Sequence, residues 1–510
     1  MPSEASTGER PPPRFNMAAY AIGRAARATP EKTALLVLED VHSAPVETWS
    51  YAALEAAVLN VAGGLAASGL APGERLLIRL ENRSDYAILF LGAIAAGLVP
   101  IATSSHLTED EAHFLIADSG AAAVALSARL ALAECPAGVR ILSADDVSAL
   151  IRSGPRGAYA DTAADAPAFL VYTSGTTARP KGVLHAQRSA WGRRPMYAGW
   201  YGLTAADRML HAGAFNWTFT LGTGLVDPWA VGATAIVYTG EKDPALWPAL
   251  IRASGATLFA AVPGVIRQML KYAAIGTSEL GVLRHALVAG ETPPAGLLDD
   301  WEQATGRPIY EALGMSEIST YISSGPGVPR RPARVGRPQP GRRVAILAEN
   351  GGNEPLPAGA TGLLAVHRSD PGLMLGYWRR PEEEAEVMRG EWFVGGDLAL
   401  IDTDGYVAHL GRANDIMKAL GYRVAPQEVE EVLARFPGVA EVACAEVRVR
   451  DDVTVIGAFV VPADGAAIDA SALLAHAAEH LAPYKCPREV RFVPALPRTA
   501  NGKVMRRALT

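Results

Sequence analysis

The sequence predicts an α/β protein: a large N-terminal part of parallel-type sheets covered by helices, a small antiparallel barrel-like subdomain, and a small α+β unit at the C-terminus. Three observations carry this. From Pro30 to Leu400, short β-type runs alternate with Ala-rich helical stretches, the pattern of strands laid parallel beneath their connecting helices. From Arg342 the texture changes to strands separated by Gly/Pro/Asn turns. After Gly411-Arg412-Ala413-Asn414 comes a compact run of about a hundred residues, large enough to hold its own core.

A chain of 510 residues suggests roughly two to four domains. Hydrophobic content of 49% and charged content of 20% describe a globular enzyme, not a disordered chain. The net charge of −6, with no block of like charges, argues against nucleic acid or an anionic membrane as partner. Cys135, Cys444 and Cys486 lie far apart without CxxC spacing, as expected of reduced thiols in a cytoplasmic protein. Residues 1–15 are polar and Pro-rich, lack the order of a signal peptide, and are expected to form a disordered lead-in. No apolar run is long enough for a spanning helix.

Strands are expected at Arg75–Leu80, Ala121–Leu126, Ala233–Tyr238, Thr257–Val262 and Ala286–Ala289, and helices at Tyr51–Ser68 and Asp85–Ala96. In the β-rich stretch 342–411, Val344–Leu347 and Leu363–Val366 are strands with no room for a helix between them. In the C-terminal unit, a helix starts at Pro426, with Val429, Val432, Leu433 and Phe436 at helical spacing. Ala440–Val449 and Val453–Val461 form a hairpin. Asp469 caps a second helix whose inner face carries Leu473, Leu474, Ala477 and Leu481.

The chemistry begins where Ala168–Tyr172, a strand-type run, empties into Thr173-Ser174-Gly175-Thr176-Thr177-Ala178-Arg179-Pro180-Lys181-Gly182. Glycines let successive N–H groups turn toward phosphate oxygens, the hydroxyls add donors, and Lys181 adds a point charge. The plain alternative is a Ser/Thr/Gly surface turn. The spacing is not GxxxxGK[ST], which disfavours that NTPase class.

This decapeptide resembles the signature of the adenylate-forming (AMP-binding) superfamily, in its acyl- and aryl-CoA synthetase branch, and later motifs agree to the end of the chain. Gly290-Glu291-Thr292 resembles the adenine-contacting loop. Glu311-Ala312-Leu313-Gly314-Met315-Ser316-Glu317 is similar to the GxTE motif; by resemblance Glu317, with Thr176, holds Mg²⁺, and the 311–316 backbone frames the nucleotide. Leu313 stands where many relatives have an aromatic. Trp392-Phe393-Val394-Gly395-Gly396-Asp397 resembles WFxTGD, with Gly395 in place of Thr or Ser, and Asp397 would accept from both ribose hydroxyls. Gly411–Arg423 matches GRxDDxxKxxGxR. Arg412 would bridge ribose and phosphate, Asn414 replaces the usual hinge residue, and Gly421 and Arg423 fall in register, Gly421 letting the pantetheine arm of coenzyme A pass. Pro497-Arg498-Thr499-Ala500-Asn501-Gly502-Lys503 matches PRTxNGK, and Lys503 corresponds to the catalytic lysine.

The resemblance therefore implies an N-terminal AMP-binding domain at 16–412 and a C-terminal lid at 413–510, hinged near Asn414. The implied enzyme is an acid–thiol ligase using ATP, Mg²⁺ and coenzyme A. A carboxylate attacks the α-phosphorus, pyrophosphate leaves, and a thiolate then displaces AMP. Trp217 falls at the position of the pocket aromatic of benzoate-type and medium-chain ligases, flanked by Phe215 and Phe219; the bland reading of this stripe is core. No Arg or Lys lies between Arg208 and Lys242, so an apolar monocarboxylic acid, aryl or short-to-medium aliphatic, is expected. The alternatives are an enzyme loading a carrier protein, a luciferase-like oxygenase, and a nucleotide-binding regulator without catalysis. The family also allows for a homodimer and for a lysine acyltransferase or deacetylase acting at Lys503.

Overall fold

The computed structural model describes residues 10–173, 180–273, 275–276, 278–294, 296–413, 417–419, 422–450, 453–498 and 504–509. Two large sheets organise the N-terminal part. In the nine-stranded sheet, Thr33–Leu38, Thr234–Tyr238, Arg208–His211, Leu258–Ala261, His285–Ala289 and Ile309–Met315 run parallel in that spatial order. Ser319–Ser323 and Arg337–Pro338 extend it antiparallel on one side, and Glu47–Ser50 on the other. The seven-stranded sheet runs Arg140–Ser143, Ala123–Leu126, Arg75–Arg79, Val99–Ala102 and Pro167–Thr173 in parallel, then turns antiparallel through Lys181–Ala186 to Gly376–Tyr377.

The helices Tyr51–Ala67 and Ser84–Ala95 lie between the sheets, in one cluster with Leu35 and Val37 of the first and Leu76, Ile78 and Val171 of the second. Ser84–Ala95 is buried at every position but Asp85 in its first turn, as a helix apolar on nearly all sides must be. Trp247–Ser254, Pro263–Tyr272 and Leu297–Thr305 contribute to the core on the outer face of the nine-stranded sheet. Glu109–Ser119, started by a Thr108/Glu111 capping box, contributes to that on the outer face of the other sheet.

The third sheet is antiparallel: Val344–Leu347, Thr361–His367 and Trp392–Ile401 in order, with Met388–Arg389 and Val407–Arg412 both pairing to the last. A short helix, Pro381–Val387, lies within this β-rich stretch. The C-terminal unit has the expected hairpin, Val439–Arg450 with Val453–Pro462, joined by Glu489–Phe492 and packed on Pro426–Leu433 and Ala470–His480. Asp469 caps the last helix, but only Leu473 and Ala477 are fully buried; Leu474 and Leu481 are half-covered. The end of the expected lead-in needs correction too. Arg14 pairs with Asp161, and Phe15 is buried in the inter-sheet core. Among the described residues no helix is long and apolar enough to cross a membrane.

Candidate active site

Strand order decides where the site is. Arg208–His211 lies between Thr234–Tyr238, the next strand in sequence, and Leu258–Ala261, the one after. The chain leaves it in one direction and returns across it, so the loops beyond His211 and Ala261 diverge and leave a crevice at the carboxyl ends, where open α/β sheets bind ligands. Trp217 from the first loop and Val262 from the second both reach Gly290, at the end of His285–Ala289. Gly290 has φ +103°, and a Cβ there would stand 2.9 Å from the Trp217 ring, so no other residue fits without displacing Trp217.

Trp217 is fixed by an Nε1–H bond of 2.6 Å to Thr220 Oγ1 and bridges the inter-sheet core and the cluster around Trp200. Its two neighbours behave differently. Phe215 is 3% exposed against Tyr86, and Phe219 is 5% exposed between Trp200 and His211. They are core side chains in separate clusters, the bland reading of that stripe.

On the phosphate side, Thr173 and Lys181 face each other across the hairpin of Pro167–Thr173 and Lys181–Ala186. Ser174, Gly175, Thr176 and Thr177 lie outside the described residues. Lys181 is ion-paired with Glu383 and sits 5.3 Å from the centre of the Tyr377 ring. The Tyr377 hydroxyl donates to Glu317 Oε1 at 2.8 Å. The fields of Glu317 and Arg412 both reach Tyr377, and those of Glu317, Asp397 and Arg412 reach buried Tyr321. These three charged residues therefore stand around Tyr321.

Asp397 belongs to a hydrogen-bonded chain. Asp397 and Arg412 are cross-strand partners; Arg412 Nε lies 3.1 Å from Asp397 Oδ1 and its Nη1 donates to the Gly395 carbonyl. His409 Nε2 meets the same Asp397 oxygen at 3.2 Å, and its Nδ1 meets Thr292 Oγ1 at 3.4 Å. The adenine-type loop and the ribose-type aspartate are thereby tied through one imidazole. Ile309–Met315 runs alongside, with Ala312 buried and Leu313 half-covered. Glu311, desolvated beside Ala312, has its carboxyl pushed up to about 8, against a pull from Arg330. Gly314 passes directly against the Ser319 carbonyl, and the Ser316 carbonyl accepts from His185 Nε2 at 2.9 Å. The Met315 thioether lies 2.7 Å from where a Cβ on Gly395 would stand.

From the C-terminal unit, Arg498 reaches Glu291 at 3.9 Å and Glu441 at 2.8 Å, and Arg267 reaches Glu441 at 2.5 Å. Arg498 is bridged to Val504, the two flanking residues 499–503. Asn414, Gly421 and Lys503 lie outside the described residues; Arg423 is described only as backbone of Tyr422–Val424.

Residues 22–378 match the family described as AMP-binding enzyme, and residues 428–503 match its C-terminal domain. The chain belongs to the AMP-binding enzymes. Among similar members, 3-hydroxybenzoate–CoA ligase of Aromatoleum sp. (strain CIB) is 32% identical over 90% of each chain. Benzoate–CoA ligase of Thauera aromatica is 32% identical over 86% of each. Among solved structures, ATP-bound MatB from Rhodopseudomonas palustris superposes with TM-score 0.87 at 28% identity, covering 97% of this chain and 98% of that one. A benzoate CoA ligase from Burkholderia xenovorans LB400 gives 0.85 at 28%, covering 97% and 99%.

For this AMP-binding enzyme, sequence motifs located the strand ends but missed the residues between them. His409, Tyr377, Glu383 and His185 have no spacing that marks them; each is recognised only by the partner it meets. Glu317 suits a hard cation: one carboxylate oxygen is oriented by Tyr377 and the other has no hydrogen-bond partner among the described residues. One oriented carboxylate plus phosphate oxygens is an ordinary Mg²⁺ donor set.

Proposed function

We propose that this AMP-binding enzyme is an ATP-dependent carboxylic acid–coenzyme A ligase acting on an aryl or other largely apolar monocarboxylic acid. The observation that carries the reading is the grouping of Glu317, Asp397 and Arg412 around Tyr321, with Asp397 tied through His409 to Thr292 in the loop after Gly290. Asp397, held by Arg412 and His409, accepts the ribose hydroxyls. Thr292 and Glu311–Ser316 border the base. Thr173, Lys181 and the hydroxyls of Ser174, Thr176 and Thr177 would bind the phosphates, with Lys181 exchanging Glu383 for phosphate oxygens. Glu317 and Thr176 hold Mg²⁺, which when bound neutralises phosphate charge. The acid lies along Trp217, its carboxylate toward the α-phosphorus.

Carboxylate attack forms the acyl–phosphate bond and breaks the bond to pyrophosphate. Lys503 stabilises the charge that develops. The Arg498–Glu291 contact supports adenylation as the pose described, because the side chain that leads into 499–503 reaches the loop after Gly290. For the second half-reaction the lid turns about Asn414, Gly421 admits pantetheine, and the thiolate attacks the acyl carbon and expels AMP. The names of the benzoate- and 3-hydroxybenzoate-specific relatives support an aryl acid.

A panel of aryl and aliphatic acids, scored for AMP with and without coenzyme A, tests this. Thioester and AMP are expected together from apolar monocarboxylates. Pyrophosphate release with none of the acids would overturn the reading.

A further inference from the structure

The C-terminal unit carries a cluster of metal-type donors that the nucleotide chemistry does not use. His476, Glu479 and His480 fall at positions i, i+3 and i+4 of the helix Ala470–His480, a spacing that brings three side chains to one face. One donor atom from each lies within 4.8 Å of the other two, and among the described residues no other such group of histidine, cysteine and acidic side chains occurs.

The two imidazoles are set by hydrogen bonds that leave a lone pair on each. His476 Nε2 lies 3.2 Å from the Val432 carbonyl oxygen, on the neighbouring helix Pro426–Leu433, and His480 Nδ1 lies 2.9 Å from the His476 carbonyl oxygen. A carbonyl only accepts, so in the neutral rings those nitrogens carry the protons. Lone pairs then remain on His476 Nδ1 and His480 Nε2. A backbone carbonyl that holds the far ring N–H is the usual support of a metal-bound imidazole, because it fixes both tautomer and ring orientation. The two ring centres are 4.4 Å apart, and the His476 ring also packs on Phe436 at 5.5 Å.

The third donor and the setting favour a cation. Glu479 is exposed and supplies the charge. All three residues lie toward the carboxyl end of the helix, where the backbone dipole is negative. Two imidazoles and one carboxylate, with water in the remaining position, suit a divalent ion of the zinc type. Mg²⁺ and Ca²⁺ take oxygen donors, of which this set offers one side chain.

We propose that His476, Glu479 and His480 form a site for a divalent transition-metal ion, with Zn²⁺ as the reference case, which braces the end of this helix against Pro426–Leu433 through His476. The proposal goes beyond the ligase reading and does not depend on it.

The test is calorimetric titration of the untagged full-length chain, first stripped with a chelator, with Zn²⁺ or Ni²⁺ and without nucleotide. One equivalent is expected to bind, and an excess of Mg²⁺ is expected not to displace it. His480→Ala should weaken binding at least about 10-fold, the loss that removing even a supporting partner of a ligand causes, and Glu479→Gln should weaken it by less. Both positions are exposed, so the fold should tolerate either change. The melting midpoint of the parent should rise with Zn²⁺, and that of His480→Ala should rise less. Cys486 is the other soft donor near this helix end, its Sγ 3.5 Å from the Ala482 carbonyl oxygen; Cys486→Ser should leave the affinity unchanged. No binding at submillimolar Zn²⁺, an affinity untouched by both His480→Ala and Glu479→Gln, or its loss in Cys486→Ser would overturn the site.

Discussion

Glu311 keeps a proton in the folded protein that the unfolded chain releases near its ordinary value of 4.5, because desolvation on the strand Ile309–Met315 lifts its carboxyl to about 8. The native state therefore binds more protons than the unfolded one between those values, and stability falls as pH rises through that window. Glu311→Gln, which copies the neutral acid, should flatten that dependence and gain about 3–4 kcal/mol relative to the parent between pH 5 and pH 8. Denaturant melts at the two pH values measure this; parallel slopes for parent and variant would show that Glu311 ionises freely. In the role proposed for it, Lys503 would act at the same scale by a single charge. Lys503→Ala is expected to lower adenylation by roughly 10²–10³-fold while sparing thioester formation from supplied acyl-adenylate. Equal losses in both half-reactions would contradict an exchange of lid poses.

At the scale of elements, the π-helical turn Thr220–Val226 continues into Asp227–Val231 and clasps Arg193. A Cβ on Gly222 would lie 2.0 Å from the guanidinium carbon, so the turn closes only over glycine. Asp227 accepts from Arg193 Nε and Nη2 and from the Tyr201 hydroxyl. Asp227→Ala strands a buried cation and should cost about 3–5 kcal/mol, read as a shift in denaturation midpoint. A loss below 1 kcal/mol would mean water reaches the pair. This element was the least legible in the sequence. Phe215, Trp217 and Phe219 form a stripe that suits a pocket wall or a core equally well, because periodicity reports burial and not what does the burying. The parallel strands were plain, since runs such as His285–Ala289 are buried on both faces and carry little but apolar residues. The Asp397–Arg412 pairing was implied only by family motif, and His409 by nothing, since a cross-strand contact leaves no local trace.

Over the whole molecule, the C-terminal unit meets the larger part through Glu441, which holds both Arg267 and Arg498. Glu441→Lys would gather three cations there. The expected outcome is an adenylation rate lower by roughly fivefold, from about 1 kcal/mol of repulsion, recovered in part at high salt, with thioester formation from preformed adenylate unchanged. Pyrophosphate exchange across a salt series checks it, and a salt-independent loss would point to misfolding instead. Met315 and Gly395 join distant parts of the chain in another way. They stand eighty positions apart, on strands of two different sheets, yet occupy one volume. A side chain at 395, such as the hydroxyl the family motif carries there, would thus compete with the bulk at 315 for the same space. Reinstating threonine alone would crowd the thioether, whereas trimming 315 at the same time makes room, so the two sites can only be re-engineered as a couple.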